Sequence, residues 1–105
     1  MVHYGGCELA EKKKESEALV KIGKLIEKKR KALGKQYMSR ERFIDKRSDE
    51  LFGSDDWISL RHLYNIEHGK NWLSIEMLIA LADALEEDPA DLFDEIVKIY
   101  RNSSS

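Results

Sequence analysis

Apolar residues recur at helical spacing along most of the chain. In its amino-terminal half, four of them lie three, four and seven positions apart: Leu19, Ile22, Ile26 and Leu33. Side chains at these intervals share one face of an α-helix. The pattern predicts a first helix from about Glu8 to Leu33, with Gly34 as its stop. Gly23 lies inside this helix, where a glycine costs about 1 kcal/mol relative to alanine.

A serine marks the start of the second helix. Ser39 precedes charged residues and an apolar face that starts at Phe43 and Ile44, as expected of a helix N-cap. Leu51 or Phe52 closes this face. The pattern therefore predicts a second helix from about residue 40 to the early fifties.

The third helix has two candidate starts. Ser54 is followed by two aspartates, which favour a helix that begins at Asp55, whereas Ser59 is the cap of a helix that begins at Leu60. Its end is better defined, because Gly69 suits the left-handed residue that commonly follows a helix.

Two further helices complete the pattern. Ser74 is the N-cap of the fourth, whose apolar stripe is Leu78, Leu81, Ala82 and Leu85. Asp88 and Pro89 begin the fifth, with proline in the first turn. Its apolar positions are Leu92, Phe93, Ile96, Ile99 and Tyr100. No convincing strand alternation is present, so the sequence predicts an all-α domain of five helices.

Length and composition favour one small domain. The chain has 105 residues, 42% apolar and 36% charged, which is enough for one modest core. We expect a partly flexible amino-terminal extension at 1–18, a domain at 19–101 and a flexible tail at 102–105. No apolar run is long enough to span a membrane, and Cys7 has no partner for an internal disulfide. These features favour a cytoplasmic protein.

Charge is divided unevenly along the chain, although the formal net charge is only −2. Residues 1–47 carry a net charge of +7 and residues 48–105 carry −9. The division predicts one basic and one acidic surface. Because nucleic acid responds to the local field, the net negative charge does not exclude it as a partner. In the alternative interpretation, the lysine-rich runs at 12–14 and 28–31 are only solvated helix faces.

The segment Leu63–Lys70 reads LYNIEHGK. It resembles the hydrophobic-x-x-hydrophobic-Glu-x-Gly-Lys signature of helix-turn-helix repressors of the Cro and phage-repressor type, the Xre-like family. The helices before and after it follow the same family in order, over about residues 19–97. The resemblance implies a five-helix, lambda-repressor-like domain with an N-terminal helical extension, in which the third helix enters the DNA major groove.

The family pattern also assigns residues to the DNA interface. Base readout falls to Leu60, Arg61 and Asn65, since arginine can bind guanine and asparagine can bind adenine by paired hydrogen bonds. Leucine can only make apolar contact there. The residues implied in phosphate contact are Ser39, Arg40, Ser59, His62, Tyr64, His68 and Lys70. For the two histidines, the alternative is a solvent-exposed side chain without a role.

The resemblance further implies a structural pair between Arg30, near the end of the first helix, and Glu67. The guanidinium fork of arginine matches a carboxylate. If the pair is buried, removing one partner costs about 3–5 kcal/mol.

Three features depart from the family pattern, one of spacing and two of residue type. Ser39 and Glu67 lie further apart than usual, and the additional residues fall around 48–57, so that a longer second helix, a loop, or both replace the compact turn. This segment carries four acidic residues, which repel phosphate. Arg40 replaces the usual glutamine, and Lys29 occupies a usually apolar position.

The chain offers little for other chemistry. It has no zinc-protease, paired-cysteine or phosphate-loop motif, and His3 and Cys7 alone are too few ligands for a metal site. We therefore expect no catalytic residues, cofactor or metal. Trp57 and Trp72 flank the third helix; each is either a lid on the core or a docking residue for a partner.

Three functions remain open from the sequence. The first is a transcriptional repressor that binds a pseudo-palindromic double-stranded operator as a homodimer, with outer residues of the fifth helix in the dimer seam. The second is an antitoxin that binds DNA and masks a toxin, with 1–18 as the masking segment. The third is a protein-interaction module that has lost DNA binding, an alternative supported by the acidic insertion.

Overall fold

The computed structural model describes the backbone of residues 5–103 and the side chains of residues 16–103. Within that part of the chain, the regular secondary structure consists of five α-helices and one short 3-10 helix at Lys35–Tyr37. The α-helices are α1 (Gly5–Ala32), α2 (Arg40–Leu51), α3 (Leu60–Glu67), α4 (Ile75–Ala84) and α5 (Pro89–Asn102). The prediction of an all-α domain with five helices is confirmed.

The helix starts are fixed by side-chain caps. In Ser39, Ser59 and Ser74 the hydroxyl accepts a hydrogen bond from the backbone N–H three residues further on. Asp88 caps α5 in the same way, and Pro89 lies in its first turn. Each cap satisfies a backbone donor that has no partner within its own helix. The predicted caps Ser39, Ser74 and Asp88 are confirmed, and Ser59 is the one of two candidate caps that the third helix uses.

The structure settles the start of the third helix, because α3 begins at Leu60 and not at Asp55. Ser54 instead lies in the loop with a φ of +67°, a conformation incompatible with an N-cap. At the other end Gly69 has a φ of +71°, as predicted for the residue that follows the helix.

The ends of the described chain are more helical than predicted. α1 begins at Gly5 and not near Glu8. Asn102 belongs to α5, and Ser103 is buried, with its hydroxyl donating to the carbonyl of Ile99 at 2.7 Å. These two residues are therefore not part of a tail. The remaining flexible segments predicted at the termini, residues 1–4 and 104–105, lie outside the described residues.

One apolar core joins the helices. α1 packs against α3 and α5, α4 packs against α5, and α2 packs against α3. The stripe predicted for α4 is buried in full. The stripe of α5 divides, since Leu92 and Ile96 enter the core whereas Phe93 and Tyr100 are exposed.

The additional residues between α2 and α3 form both a longer helix and a loop. α2 continues to Leu51, which is exposed, and Phe52 is the residue that packs against the core. Trp57 stacks on Phe52 with ring centroids 4.7 Å apart and meets Phe43 edge-on at 5.8 Å. Its indole N–H donates to the carbonyl of Ile44 at 3.1 Å. Trp57 is therefore a lid on the core.

Lys29, where the family has an apolar residue, is held by ion pairs. Its Nζ lies 3.0 Å from a carboxylate oxygen of Glu87 and 3.0 Å from one of Glu95. Burial lowers the pKa of Lys29, but the hydrogen bonds to Glu95 and Glu87 outweigh it and raise the pKa above its usual value. The lysine thereby links α1 to α5.

Candidate nucleic-acid interface

α3 has one buried side and one exposed side. Its buried residues are Leu63, Ile66 and Glu67, and its exposed residues are Leu60, Arg61 and Tyr64. An α-helix with its side chains is about 10–12 Å across, which is close to the width of the DNA major groove. The exposed side of α3 therefore suits a helix that enters such a groove.

Two of the three predicted base-reading residues are exposed on this side, and the third lies at its edge. Leu60 is 45% exposed and does not belong to the core. Arg61 is exposed and has no ion-pair partner among the described residues. Asn65 is half-buried and follows Arg61 by one helical turn, so both side chains lie along the same edge of α3.

The two capping serines keep a donor for an anion. The hydroxyl oxygen of Ser39 lies 3.1 Å from the backbone N of Arg42, and that of Ser59 lies 3.0 Å from the backbone N of His62. In each cap the oxygen is the acceptor, so the hydroxyl hydrogen remains available. Both serines are exposed, at the amino ends of α2 and α3, where helix dipoles also favour negative charge.

Four of the predicted phosphate-contacting residues meet around one aromatic ring. The ring of Tyr64 is stacked on that of His68, with centroids 3.9 Å apart. Lys70 Nζ lies 5.5 Å from the Tyr64 centroid, and Arg40 Cζ lies 5.2 Å from it. These distances are within cation–π range. The cluster gathers a half-exposed aromatic surface and two cations beside α3.

Arg40, however, is held by carboxylates of the protein itself. Its Nε donates to Glu67 Oε1 at 2.7 Å, and its Nη2 lies 3.4 Å from Glu27 Oε2. The side chain is only 23% exposed. Two ion pairs offset the charge that Arg40 was predicted to offer to phosphate, and they give it a structural role that the sequence did not indicate.

The predicted pair of Arg30 and Glu67 is confirmed. Arg30 Nε donates to Glu67 Oε2 at 2.7 Å and Arg30 Nη2 donates to Glu67 Oε1 at 2.9 Å. The two side chains are 1% and 0% exposed. The remaining guanidinium nitrogen donates to the carbonyls of Tyr37 and Met38. Glu67 thus joins α1 to α3, and Arg40 adds α2.

Glycines allow α1 to approach the end of α3. A Cβ on Gly23 would lie 2.6 Å from the carbonyl oxygen of Ile66 and closer still to that of Glu67. A Cβ on Gly69 would lie 2.7 Å from Cα of Val20. Gly23 therefore packs closely against the end of α3, and this contact sets the depth at which α3 is held.

A second buried arginine was not predicted from the sequence. Arg47 donates from Nη1 to Glu50 at 3.0 Å and from Nη2 to Glu86 at 2.7 Å, and its Cζ lies 4.4 Å from the Tyr37 ring centroid. Its Nε is buried without a partner among the described residues. An arginine in the charged sequence of α2 gives no signal that it will be buried.

An acidic groove lies beside the candidate interface, between the amino-terminal half of α2 and the residues that lead into α3. Its volume is about 570 Å³. Its lining residues are Glu41, Ile44, Asp45, Asp56, Ile58, Ser59 and Leu60. The groove therefore shares Ser59 and Leu60 with the candidate interface, and its carboxylates repel phosphate.

An apolar face lies on α4 and α5. Trp72, Ile75, Phe93 and Tyr100 are all exposed by a third or more of their surface. The rings of Trp72 and Tyr100 have centroids 6.0 Å apart. A small apolar cavity of about 110 Å³ opens here, lined by residues of α1, α4 and α5 as well as Trp72. Trp72, at 44% exposed, therefore covers the core less completely than the half-buried Trp57.

Neither a protein-family model nor a curated protein nor a solved structure matches the chain significantly. Among the described side chains, no group of three or more histidine, cysteine, aspartate or glutamate residues is arranged to hold a metal ion. Along the same part of the chain, no helix has the length and apolar character needed to cross a membrane.

Proposed function

We propose that this chain is a sequence-specific regulator that binds double-stranded DNA and acts as a repressor. The observation that carries the proposal is the exposed side of α3, where Leu60 and Arg61 are exposed and Asn65 is half-buried, beside a helix start capped by Ser59. Arg61 binds guanine, Asn65 binds adenine, and Leu60 contacts a thymine methyl. Repression follows from occupancy that excludes polymerase.

Phosphate contacts fix the position of α3 in the groove. Ser39 and Ser59 donate hydroxyl hydrogen bonds, and Lys70 supplies charge. Tyr64 and His68 are stacked one helical turn apart and contribute further contacts, and His62 contributes from another side of α3. Arg40 contributes indirectly in this proposal, since its ion pairs position the Tyr64 ring and the amino end of α2.

The apolar face of α4 and α5 is the proposed homodimer seam. A face with several exposed aromatic and aliphatic side chains, such as Trp72 and Phe93, favours association. Two-fold association matches a pseudo-palindromic operator with half-sites about one helical turn apart. Phe93→Glu should abolish dimerisation in sedimentation analysis, whereas Leu51→Glu, at a residue of equal exposure on α2, should leave it intact.

Selection from random duplex DNA at about 150 mM salt tests the proposal. We expect a palindromic consensus that Arg61→Ala and Asn65→Ala each relax at one position, at a cost of about 1–3 kcal/mol per lost contact. Arg101→Ala, which removes an exposed arginine from α5, is the matched control and should keep the consensus. Absence of enrichment, or binding that ignores both α3 variants, would contradict the proposal.

A further inference from the structure

The acidic groove has a chemistry that DNA binding does not explain. Glu41 and Asp45 lie one turn apart on α2, and Asp56 lies on the loop before α3. None of the three carboxylates has an ion-pair partner among the described side chains, and no lysine or arginine lines the groove. An anionic ligand is excluded from such a site by repulsion.

The groove is also apolar along its wall. Ile58 is buried beneath it, Ile44 is half-buried, and Leu60 is nearly half exposed. A simple hydrated cation gains nothing from these side chains, whereas a segment with both apolar and cationic side chains meets both kinds of lining. Its volume is that of several side chains rather than a folded domain.

We infer that this groove docks a basic amphipathic segment of a partner protein, with apolar side chains against Ile44 and Leu60 and lysine or arginine side chains beside Glu41, Asp45 and Asp56. Charge complementarity of this kind sets orientation and speeds encounter. The docking is independent of DNA binding. Only one consequence rests on the proposed function: since Leu60 belongs to both surfaces, the segment and DNA exclude each other.

Nuclear magnetic resonance titration of the full chain without DNA tests this inference. The probe is a designed lysine–leucine amphipathic peptide of about four helical turns. We expect amide shifts confined to residues 41–45 and 56–60. A lysine–serine peptide should bind at least about tenfold more weakly because it lacks apolar contacts, and a glutamate–leucine peptide should not bind.

The triple variant Glu41→Gln, Asp45→Asn, Asp56→Asn should weaken the lysine–leucine peptide about tenfold. The matched control Glu76→Gln, Asp83→Asn, Asp91→Asn removes three exposed acids from α4 and α5 and should leave binding unchanged. Thermal unfolding of both variants checks that they fold.

Three results would overturn the inference. The first is a set of shifts confined to the apolar face around Trp72, and the second is equal weakening by both triple variants. The third is a concentration-dependent shift at 41–60 without any peptide, which would assign the groove to a second copy of the chain. Failure to select an operator would leave the docking result unaffected, so the two proposals fail separately.

Discussion

Two arginines, Arg30 and Arg47, are buried to nearly the same degree, and they are held in opposite ways. Arg30 meets a carboxylate that is itself fully buried, and its Nε, Nη1 and Nη2 all donate hydrogen bonds. Arg47 reaches outward to Glu50 and Glu86, whose side chains are 41% and 65% exposed, and its Nε has no partner among the described residues.

Arg30 thus belongs to a fully buried ionic network, whereas Arg47 is a buried arginine whose carboxylate partners lie at the surface. In the first, removal of one charge leaves another without solvent, at high cost. In the second, water solvates the carboxylates as soon as the arginine is removed. Burial of the arginine alone therefore does not indicate how much it stabilises the fold; the burial of its partner does.

Glu67→Gln should have the largest effect. It removes the carboxylate that both Arg30 and Arg40 bind, so a buried guanidinium loses its counter-charge, and we expect a loss of about 3–5 kcal/mol in the free energy of unfolding. Glu86→Gln, the same change beside Arg47, should cost less than about 1 kcal/mol. Urea denaturation measures both free energies of unfolding. Equal losses would show that the burial of the partner carboxylate does not decide how much each arginine stabilises the fold.

Gly23→Ala should come next. The new methyl group would meet backbone carbonyls at the end of α3, which no side-chain rotation can relieve, so α1 must move away from Glu67. We expect a net loss of about 1–3 kcal/mol, although alanine is the better helix former. Lys24→Ala, at the adjacent exposed position, should change stability by less than about 0.5 kcal/mol. Similar values for both would show that α1 and α3 tolerate separation.

Arg47→Met should have a small effect of either sign, within about 1 kcal/mol, because it removes an unsatisfied buried nitrogen together with two exposed pairs. The same substitution at Arg30 should cost about 3 kcal/mol or more, since Glu67 then stays buried with one cation fewer. Chemical unfolding of the two variants side by side would sharpen the comparison. A large loss at Arg47 would show that its stem packing or its contact with Tyr37 matters more than its charge.

The smallest expected effect is a change in the stability of the fold at alkaline pH, caused by Tyr37 beside Arg47. Burial and the hydrogen bond from Tyr37 to Glu50 raise the pKa of Tyr37 above its ordinary value of 10.0, and the cation of Arg47 opposes this. Since the folded state favours the protonated phenol, this stabilisation is complete below pH 10 and is lost as pH rises through the raised pKa. The difference in stability between wild type and Tyr37→Phe should shrink over that range; a constant difference would contradict the assignment.

Much of the fold was predictable because it depends on local signals. The serine and aspartate caps, Pro89 and Gly69 each act within one turn of the chain, and the apolar stripe of α4 has a single period. The Arg30–Glu67 pair was predicted only through the family resemblance. The base-reading and phosphate-contacting roles, and the antitoxin and interaction-module alternatives, stay predictions.

The remaining features depend on contacts that sequence spacing does not encode. Arg40 was assigned to phosphate because nothing local shows that Glu67 lies within its reach, 27 positions away. Helical spacing allowed either Leu51 or Phe52 to close the apolar face of α2. In the structure Phe52 takes this place, stacked on Trp57. The acidic groove was missed because it arises from the path of the loop before α3. Arg47 was missed because one of its partners, Glu86, lies 39 positions away in the sequence.

The contact between Gly23 and Glu67 has a mechanical consequence. α1 runs without interruption from Gly5 through Gly23, so about 27 Å of helix extends from this contact towards the amino terminus. A rotation of α1 by a single residue step, about 100°, would place a side chain where only a hydrogen atom now fits. α1 is thus locked against spinning or sliding on α3. A rotation imposed on the first turns of α1 would therefore also move α3.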